Sequence, residues 1–293
     1  KVEPLSFFFF FLPRWAPLIR FFAERGRTSP HMPVLLSHVL PVGTAAWLAS
    51  FVEGAPYQVL LHGLDFRLAS QNPRKRWLLK RILRRARTVF TNSAHLAEEV
   101  RAFDNALNPI AITPGVESQT FPERDASRRR FQVPAQVTQL IAVTRLVPRK
   151  GLDKLLEALV FLPEHVHLAI VGAGQDETRL RELALPLGAR VRFETMTTDL
   201  ERNAWYAAAD LFVLPTRDEG NDVEGFGIVF LEAALAGLPV VAGRGGGVEE
   251  AVLHEKTGLI VDPQDPRAIA VAIQRLIDDP ALARRLGEQA RVR

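Results

Sequence analysis

Two glutamates eight positions apart are the most chemically suggestive feature of the chain, in the segment Glu224-Gly225-Phe226-Gly227-Ile228-Val229-Phe230-Leu231-Glu232. Glycines at 225 and 227 let the backbone approach a ligand closely, and a helix that begins near Gly227 would turn free N–H groups toward a phosphate. Glu224 would then precede the helix. Glu232 would lie about a turn and a half along it, at a rise of about 1.5 Å per residue, where its carboxylate can bind a vicinal diol such as a ribose. Taken alone, the pair also fits a surface-loop acid and a helix-face acid.

A basic loop is the second such feature, Thr144-Arg145-Leu146-Val147-Pro148-Arg149-Lys150-Gly151. The loop directly follows a predicted strand at residues 139–143. Arg145 can bind phosphate oxygens bidentately, and Lys150 supplies a point charge. Cations of this kind favour a diphosphate, most of all as a leaving group, although this spacing by itself is also typical of a solvated basic turn.

Two glycine-rich segments also follow predicted strands. One is Val171-Gly172-Ala173-Gly174, and the other is Gly243-Arg244-Gly245-Gly246-Gly247. Close backbone approach at Gly172 would suit a base or a phosphate, although a lone Gly-x-Gly is a weak signal. The second segment must be a tight loop, and we expect it to line the same cleft.

The elements that position these loops form an alternating pattern in the C-terminal half. Short β-branched runs predict strands at 139–143, 166–171, 190–193, 211–214, 239–242 and 258–261. Amphipathic stretches at 152–162, 177–185 and 202–209 predict helices between them. This alternation indicates a parallel, doubly wound sheet that binds its ligands beyond the carboxyl ends of its strands.

The N-terminal half shows a less complete version of the same pattern. We expect strands at 34–39, 57–61, 88–92 and 110–113, and helices at 43–51 and 74–87. The polar, basic segment 122–134 is interpreted as a connection. The chain is therefore predicted to be α/β, with an N-terminal domain at 1–136 and a C-terminal domain at 137–293.

The order of these motifs resembles the retaining glycosyltransferases of family 4, which have the GT-B fold. The resemblance covers about 150 residues and rests on five segments in register: 142–151, 208–216, 224–232, 237–242 and 256–261. It implies two Rossmann-like domains that face each other across a cleft, with the nucleotide-sugar held by the C-terminal one. One departure is Thr144, where the family usually has glycine.

The resemblance implies a role for each matched residue. Arg145 and Lys150 would hold the diphosphate of the donor. Glu232 would bind the ribose. Glu224 would face the transferred sugar. The donor-binding set is completed by Gly172, Gly225, Phe226, Gly227 and Ile228, of which 225–227 would contribute backbone contacts.

The N-terminal half matches the family more faintly, through Pro56-Tyr57-Gln58-Val59-Leu60-Leu61-His62-Gly63-Leu64-Asp65. His62 would stand at the end of a strand and contact the donor sugar, so it joins Glu224, Arg145 and Lys150 as a catalytic candidate. Asp65 suits either the site or a loop-stabilising role. The family's opening strand with its Gly-Gly loop, and its C-terminal crossover helix, are not found between Lys1 and Arg293, so we expect the N-terminal domain to be incomplete.

Composition limits the remaining possibilities. The chain has no cysteine, which excludes disulfides and thiolate chemistry. Residues 1–137 hold 19 Lys and Arg against 10 Asp and Glu, whereas the rest hold 18 against 23. The basic half, above all the acid-free stretch 74–87, suits an anionic surface such as a membrane or a lipid-phosphate acceptor. The apolar run 5–12 is too short to span a bilayer and is interpreted mainly as a buried segment.

These features predict transfer of a hexose from a UDP- or GDP-linked donor to a glycan or lipid-linked acceptor, possible without any cofactor or metal ion. We expect a cytoplasmic protein, with peripheral contact at the inner face of the membrane as an option and no nucleic-acid partner. Three alternatives stay open: another GT-B enzyme such as a nucleotide-sugar epimerase or a phosphorylase, a catalytically impaired nucleotide-sugar-binding module, and a peripheral membrane scaffold.

Overall fold

The computed structural model describes residues 13–52, 54–195 and 198–293, and it divides the chain into two compact units, Lys1–Thr113 and Pro114–Arg293. The apolar run at 5–12 lies outside the described residues. Each unit has its own buried core and its own parallel sheet. The two units are described separately below.

The described part of the first unit contains a four-stranded parallel sheet in the order β1-β2-β3-β4. Its strands are β1 (Val34–Leu36), β2 (Tyr57–Leu61), β3 (Thr88–Thr91) and β4 (Ile110–Ala111). Its helices are α1 (Pro17–Thr28), α2 (Val42–Ala49), α3 (Leu64–Gln71), α4 (Pro73–Arg85) and α5 (Ala94–Phe103).

Local sequence explains where these elements begin. Alternation along β2 buries Tyr57, Val59 and Leu61 in the core. Helix α4 begins at a proline, and the side chain of Asn72 accepts hydrogen bonds from the first two free N–H groups that follow. These features fix the strand that ends at His62 and the helix that carries most of the unit's positive charge.

The second unit contains a six-stranded parallel sheet in the order β10-β9-β8-β5-β6-β7. Its strands are β5 (Thr138–Val143), β6 (Val166–Val171), β7 (Val191–Glu194), β8 (Leu211–Leu214), β9 (Val240–Gly243) and β10 (Leu259–Val261). Every residue of β8 and β9 is buried, because helices cover both faces of the sheet. The doubly wound arrangement predicted for this half is confirmed.

Helices of the second unit connect these strands and extend beyond the last one. They are α6 (Arg124–Arg130), α7 (Leu152–Leu159), α8 (Glu177–Ala184), α9 (Asp199–Ala208), α10 (Ile228–Leu235), α11 (Val248–Ala251), α12 (Pro266–Asp278) and α13 (Pro280–Val292). Two 3₁₀ turns lie at Pro148–Lys150 and Leu185–Arg190.

The structure divides the chain after Thr113, whereas the sequence predicts a domain boundary after residue 136. The segment interpreted as a connection contains α6, which packs on α9. Arg124 and Arg128 donate hydrogen bonds to the carbonyl oxygens of Ala209 and Ala208, and both pair with Asp210. The charges that suggested a solvated linker are therefore used within the second unit.

Candidate active site

The strand order of the second unit reverses between β5 and β8, which are neighbours in the sheet although β6 and β7 intervene in the chain. Loops that leave such neighbouring strands in opposite directions open a crevice at the carboxyl edge, where ligands of doubly wound sheets bind. The loop after β5 carries Arg145 to Lys150, and the loop after β8 leads to Glu224. The structure thus brings the two strongest sequence motifs to one edge.

Lys150 and Glu224 are in direct contact at this edge. The Lys150 Nζ donates to Glu224 Oε2 over 2.5 Å, and Arg149 Nη1 donates to the same oxygen over 2.6 Å. All three residues are buried, at 6%, 9% and 5% exposure for Lys150, Glu224 and Arg149 respectively. Two cations therefore converge on one oxygen of a single carboxylate.

Burial and charge act on this cluster in opposite directions. Burial lowers the pKa of Lys150 below its ordinary value, although the neighbouring Glu224 carboxylate counteracts part of that effect. For Glu224, burial raises the pKa, but attraction to Lys150 and Arg149 outweighs it, so the pKa lies below the usual range. Glu224 is consequently ionised at neutral pH and serves as the internal counter-ion of Lys150.

Arg149 is a residue of this site to which sequence reasoning assigned no role. Its Nε also donates to Asp222 Oδ1 over 2.9 Å, and its carbonyl oxygen accepts from the backbone N–H of Arg217. Arg149 therefore ties the basic loop to the loop after β8. The sequence does show a second arginine in the Arg-x-x-x-Arg-Lys pattern. The pattern alone does not show which of the two arginines turns inward.

Arg145 is the exposed cation of the basic loop. Its charge acts on Lys150 and contributes to lowering the pKa of that lysine, after the larger effects of burial, Glu224 and Arg149. Among the described residues, its side chain takes part in no hydrogen bond or salt bridge with another side chain. A guanidinium without an internal partner at the mouth of this edge is available to an anion.

Helix α10 begins at Ile228, close to the predicted start. Gly227 adopts φ +89° at the N-cap, a conformation that residues with a Cβ rarely adopt. Ile228 is exposed, so the helix begins at the surface of the unit. Phe226 is only 5% exposed because its ring packs in the core, so that residue can offer a ligand only its backbone.

The glycine-rich loop after β9 lies directly behind the Glu224 loop. The backbone N–H of Gly247 donates to the carbonyl oxygen of Glu224 over 2.9 Å. A Cβ placed at Gly246 would overlap that same carbonyl oxygen. This loop therefore packs against the backbone of the Glu224 loop. Its place along the cleft stays a prediction.

Glu232 does not belong to the Lys150 cluster. It lies further along α10, where its Oε2 accepts a hydrogen bond of 2.9 Å from the Tyr206 hydroxyl. Its Oε1 lies 3.7 Å from Arg202 Nη1. Beside Arg202, Val171, Glu194, Thr195 and Trp205 line a cavity of about 120 Å³ at the ends of β6 and β7. Tyr206 and Arg202 are further residues that the motif-based prediction missed.

Gly172 has a packing requirement of its own. It adopts φ +142°, and a Cβ there would overlap the carbonyl oxygen of Thr144. The glycine thus lets the end of β6 lie against the basic loop that follows β5. Its predicted contact with the donor stays a prediction.

His62 lies in the first unit, immediately after β2, and its side chain is exposed. The Asp65 Oδ1 accepts the backbone N–H of His62 over 3.2 Å. That bond favours the loop-stabilising role for Asp65. His62 stays a predicted sugar contact.

Metal coordination has no visible basis in residues 13–52, 54–195 and 198–293, where no group of three or more His, Asp or Glu side chains could hold an ion.

Two parallel α/β units, the second with a basic loop and a helix terminus at its switch point, define the chain as a GT-B protein. The family model described as "Glycosyl transferases group 1" matches residues 123–293, and "Glycosyl transferase 4-like domain" matches residues 8–115. The chain belongs to the group 1 glycosyl transferase family.

Similar proteins agree with this assignment. A GDP-mannose-dependent alpha-(1-6)-phosphatidylinositol monomannoside mannosyltransferase of Mycolicibacterium smegmatis is 42% identical over 204 residues, which are 64% of this chain and 53% of that protein. The chain spans about half the length of the curated relatives that it matches at highest identity.

Solved structures show the same fold over nearly the whole chain. A sucrose-phosphate synthase from Thermosynechococcus elongatus superposes with a TM-score of 0.80 at 27% identity, covering 99% of this chain and 76% of that one. Anabaena HepE in complex with UDP-glucose superposes with a TM-score of 0.76 at 26% identity, covering 94% and 76%.

Proposed function

We propose that this chain binds a nucleotide-diphospho-hexose through its second unit and transfers the hexose to an acceptor with retention at the anomeric carbon. The observation that carries the proposal is the Lys150–Glu224 pair at the switch point, next to the exposed Arg145 and the first turn of α10. The GDP-mannose of the mannosyltransferase relative and the UDP-glucose of the HepE complex support a donor of this class.

The proposed chemistry uses these groups as fixed positive charge. When the bond between the sugar and the diphosphate breaks, negative charge develops on the leaving phosphate. Arg145, Lys150 and the N–H groups at the start of α10 stabilise that charge without a metal ion. Because Lys150 is held at a low-dielectric position by Glu224, its interaction with a phosphate is stronger than that of a solvated lysine.

The sugar and the acceptor occupy the other side of this arrangement. Glu224 faces the transferred hexose with its second carboxylate oxygen. Retention follows from attack on the face that the diphosphate leaves, with the departing phosphate taking the acceptor's proton. The phosphatidylinositol mannoside acceptor in the relative's name supports a lipid-linked or cell-envelope acceptor.

A donor panel tests the proposal. The protein is incubated with GDP- and UDP-linked hexoses, with and without a phosphatidylinositol mannoside acceptor, and free nucleotide and sugar product are measured. We expect transfer with one donor class. Lys150→Ala should lower kcat by at least about tenfold and Glu232→Ala should raise the donor Kd by a similar factor, since a hydrogen bond to a charged group contributes about 1.5–3 kcal/mol.

The alternatives give different results in the same panel. A catalytically impaired binding module would bind GDP or UDP but release no nucleotide from any donor. An epimerase would convert the sugar of the donor into its epimer without an acceptor and would transfer no hexose. Wild-type kinetics in both alanine variants would contradict the proposed site.

The surface of the first unit favours a membrane as a partner. Trp47, Phe51 and Trp77 form a cluster in which Trp47 meets Phe51 at 5.3 Å and Trp77 at 6.1 Å between ring centroids. Phe51 and Trp77 are 63% and 56% exposed. We call the three rings with the adjacent Arg81 and Arg85 the aromatic–basic patch.

The charge of this patch favours an anionic bilayer. Arg81 lies over the Trp77 ring and Arg85 over the Phe51 ring. Helix α4 contains seven Lys and Arg and no acid. Aromatic rings with cations beside them suit the headgroup region of a membrane. In the described residues no helix is long and apolar enough to cross a bilayer, and we propose peripheral contact at the cytoplasmic face of the membrane.

A further inference from the structure

Helix α9 presents two side chains to the carboxylate of Glu232. Arg202 and Tyr206 are four positions apart, so they lie on one face of the helix. The Tyr206 hydroxyl reaches Oε2 over 2.9 Å, and the Arg202 guanidinium stands 3.7 Å from Oε1. Each carboxylate oxygen of Glu232 therefore lies close to a different residue of the same helix.

The hydrogen bond between Tyr206 and Glu232 has a clear direction. The hydroxyl donates, and the carboxylate oxygen accepts. Burial, together with the adjacent Glu232 carboxylate, raises the pKa of Tyr206 far above its usual value, so the hydroxyl keeps its proton at every physiological pH. Tyr206 is completely buried, which excludes water as a competing partner.

Arg202 acts by charge rather than by a hydrogen bond, because 3.7 Å exceeds hydrogen-bond range. The same Nη1 lies 3.1 Å from Asp199, whose side chain is 84% exposed. The Arg202 side chain is only 16% exposed and lines the cavity at the ends of β6 and β7. Arg202 therefore links the Glu232 carboxylate to a cavity at the ligand edge of the sheet, which Arg202 itself lines.

We propose that Tyr206 and Arg202 are positioning residues that hold Glu232 in the orientation in which it accepts two hydrogen bonds from a vicinal diol, and that they thereby make the site select ribonucleotides over 2′-deoxyribonucleotides. This proposal rests on the proposed donor site. Tyr206 occupies one lone pair of Oε2 and thereby restrains the plane of the carboxylate.

A competing explanation is that the three side chains only join α9 to α10. Loss of such a joint would weaken the binding of every nucleotide to the same extent. Loss of an orienting bond would instead reduce the advantage of the ribose over the deoxyribose. The ratio of two dissociation constants separates these explanations, whereas a single affinity or an activity does not.

The experiment measures the Kd of GDP, 2′-deoxy-GDP, UDP and 2′-deoxy-UDP by calorimetry, with the whole chain and with Tyr206→Phe. We expect the wild type to prefer the ribonucleotide by about tenfold or more, as for a hydrogen bond to a charged group. In Tyr206→Phe this preference should fall by about threefold or more, with little change in the affinity for the deoxynucleotide.

A matched control exists because the chain has only two tyrosines. Tyr57 is also buried, and its hydroxyl donates to the carbonyl oxygen of Ile82 over 2.8 Å in the first unit. Tyr57→Phe removes a comparable bond far along the chain from any carboxylate of the site, and it should leave the ratio unchanged. Arg202→Lys, which keeps the charge but shortens and narrows the head group, should lower the ratio to an intermediate value.

Each outcome decides something. If the wild type binds none of the four nucleotides, the proposed donor site fails and this inference fails with it. If the wild type prefers ribonucleotides and Tyr206→Phe and Arg202→Lys keep the full preference, the donor site stands and the positioning role is wrong. Equal affinity of the wild type for ribo- and deoxynucleotides likewise overturns the positioning role of Tyr206 and Arg202.

Discussion

Lys150 is a lysine kept away from water, and its charge is balanced inside the protein by Glu224. An isolated ammonium group at 6% exposure would lose its proton or disrupt the fold. The contact of 2.5 Å to Glu224 offsets that tendency. The pair is therefore a structural unit as well as a candidate catalytic one.

Glu224→Gln tests this dependence. The variant leaves the Lys150 charge buried beside Arg149 without a counter-ion, so we expect the free energy of unfolding to fall by about 3 kcal/mol. Urea denaturation at neutral pH measures the difference. Glu255→Gln is the control, since Glu255 pairs with Arg275 at the surface over 2.8 Å and its loss should be barely measurable.

The difference in the free energy of unfolding between the wild type and Glu224→Gln should depend on pH, and the pKa shift of Glu224 gives the direction of that dependence. The pKa of Glu224 is lower in the folded protein than in the unfolded chain. Below the usual glutamate pKa, the unfolded chain takes up a proton that the folded protein does not, so the contribution of Glu224 is present above that value and is lost as the pH falls through the lowered one. The wild type and Glu224→Gln should therefore converge on acidification. A constant difference down to acid unfolding would contradict the assignment.

For individual residues, the sequence predicted well which of them lie at the edge of the sheet. It predicted less well which partners their side chains contact. Motif spacing placed Lys150 and Glu224 beyond the ends of their strands, and the structure has them there. It could not show that Arg149 turns inward while Arg145 stays exposed, because both are arginines in one loop. Tyr206 lies in a different helix, and only the fold brings it to Glu232.

The strands of the second unit and its helices α7, α8 and α9 follow from periodicity to within about three residues at each end. β6 and β8 have their predicted bounds, since short apolar runs between turn residues favour strands. α6 was interpreted as a connection, because seven residues that include four arginines resemble a solvated segment. Its helix depends on tertiary partners, chiefly Asp210 and the end of α9, that no local pattern reveals.

In helix α4, helical periodicity does not predict correctly which residues are buried. Helical spacing allows Trp77 to share an apolar face with Leu78, Ile82 and Ala86, which predicts that Trp77 packs on the sheet. In the structure, Leu79, Ile82 and Leu83 are buried, whereas Trp77 points outward to Trp47. The burial face is shifted by a fraction of a turn, which leaves the largest side chain at the surface.

The aromatic–basic patch gives a prediction at the scale of these helices. Sedimentation with phosphatidylcholine vesicles that contain phosphatidylglycerol should carry the protein down, and pure phosphatidylcholine should not. Trp77→Ala and Arg81→Gln should each reduce the bound fraction several-fold, the first by loss of interfacial aromatic area and the second by loss of about 1 kcal/mol of attraction.

Val271→Ala provides the matched control for that experiment. Val271 is a 68% exposed apolar residue on α12, in the second unit, so its loss should leave vesicle binding unchanged. Binding that persists in Trp77→Ala and Arg81→Gln, or binding that is indifferent to anionic lipid, would contradict the patch as a membrane contact.

For the whole molecule, the boundary between the units is the feature that the sequence placed least well. Residues 114–136 belong with the second unit, where Phe131 stacks on Trp205 at 3.9 Å and Arg128 donates to the carbonyl oxygens of Pro134 and Val137. Contacts of this kind make the segment part of a folded body and leave little of it as linker.

Two fragments test this boundary. A fragment of residues 114–293 should unfold cooperatively, and a fragment of residues 137–293 should be less stable by several kcal/mol, because it exposes Trp205 and leaves Asp210 without either arginine. Urea denaturation followed by tryptophan fluorescence measures both. Equal stability of the two fragments would contradict the boundary after Thr113 and support a boundary after residue 136.

The bond between Lys150 and Glu224 joins residues 74 positions apart, and three strands, β6, β7 and β8, lie between them in the chain. Such a contact has a high loop-closure entropy and forms only when β5 and β8 already lie side by side. A growing polypeptide on the ribosome therefore cannot form this pair until both strands and the loop after β8 have emerged. If the pair holds nucleotide as we propose, protection from proteolysis by added nucleotide should appear only late in synthesis.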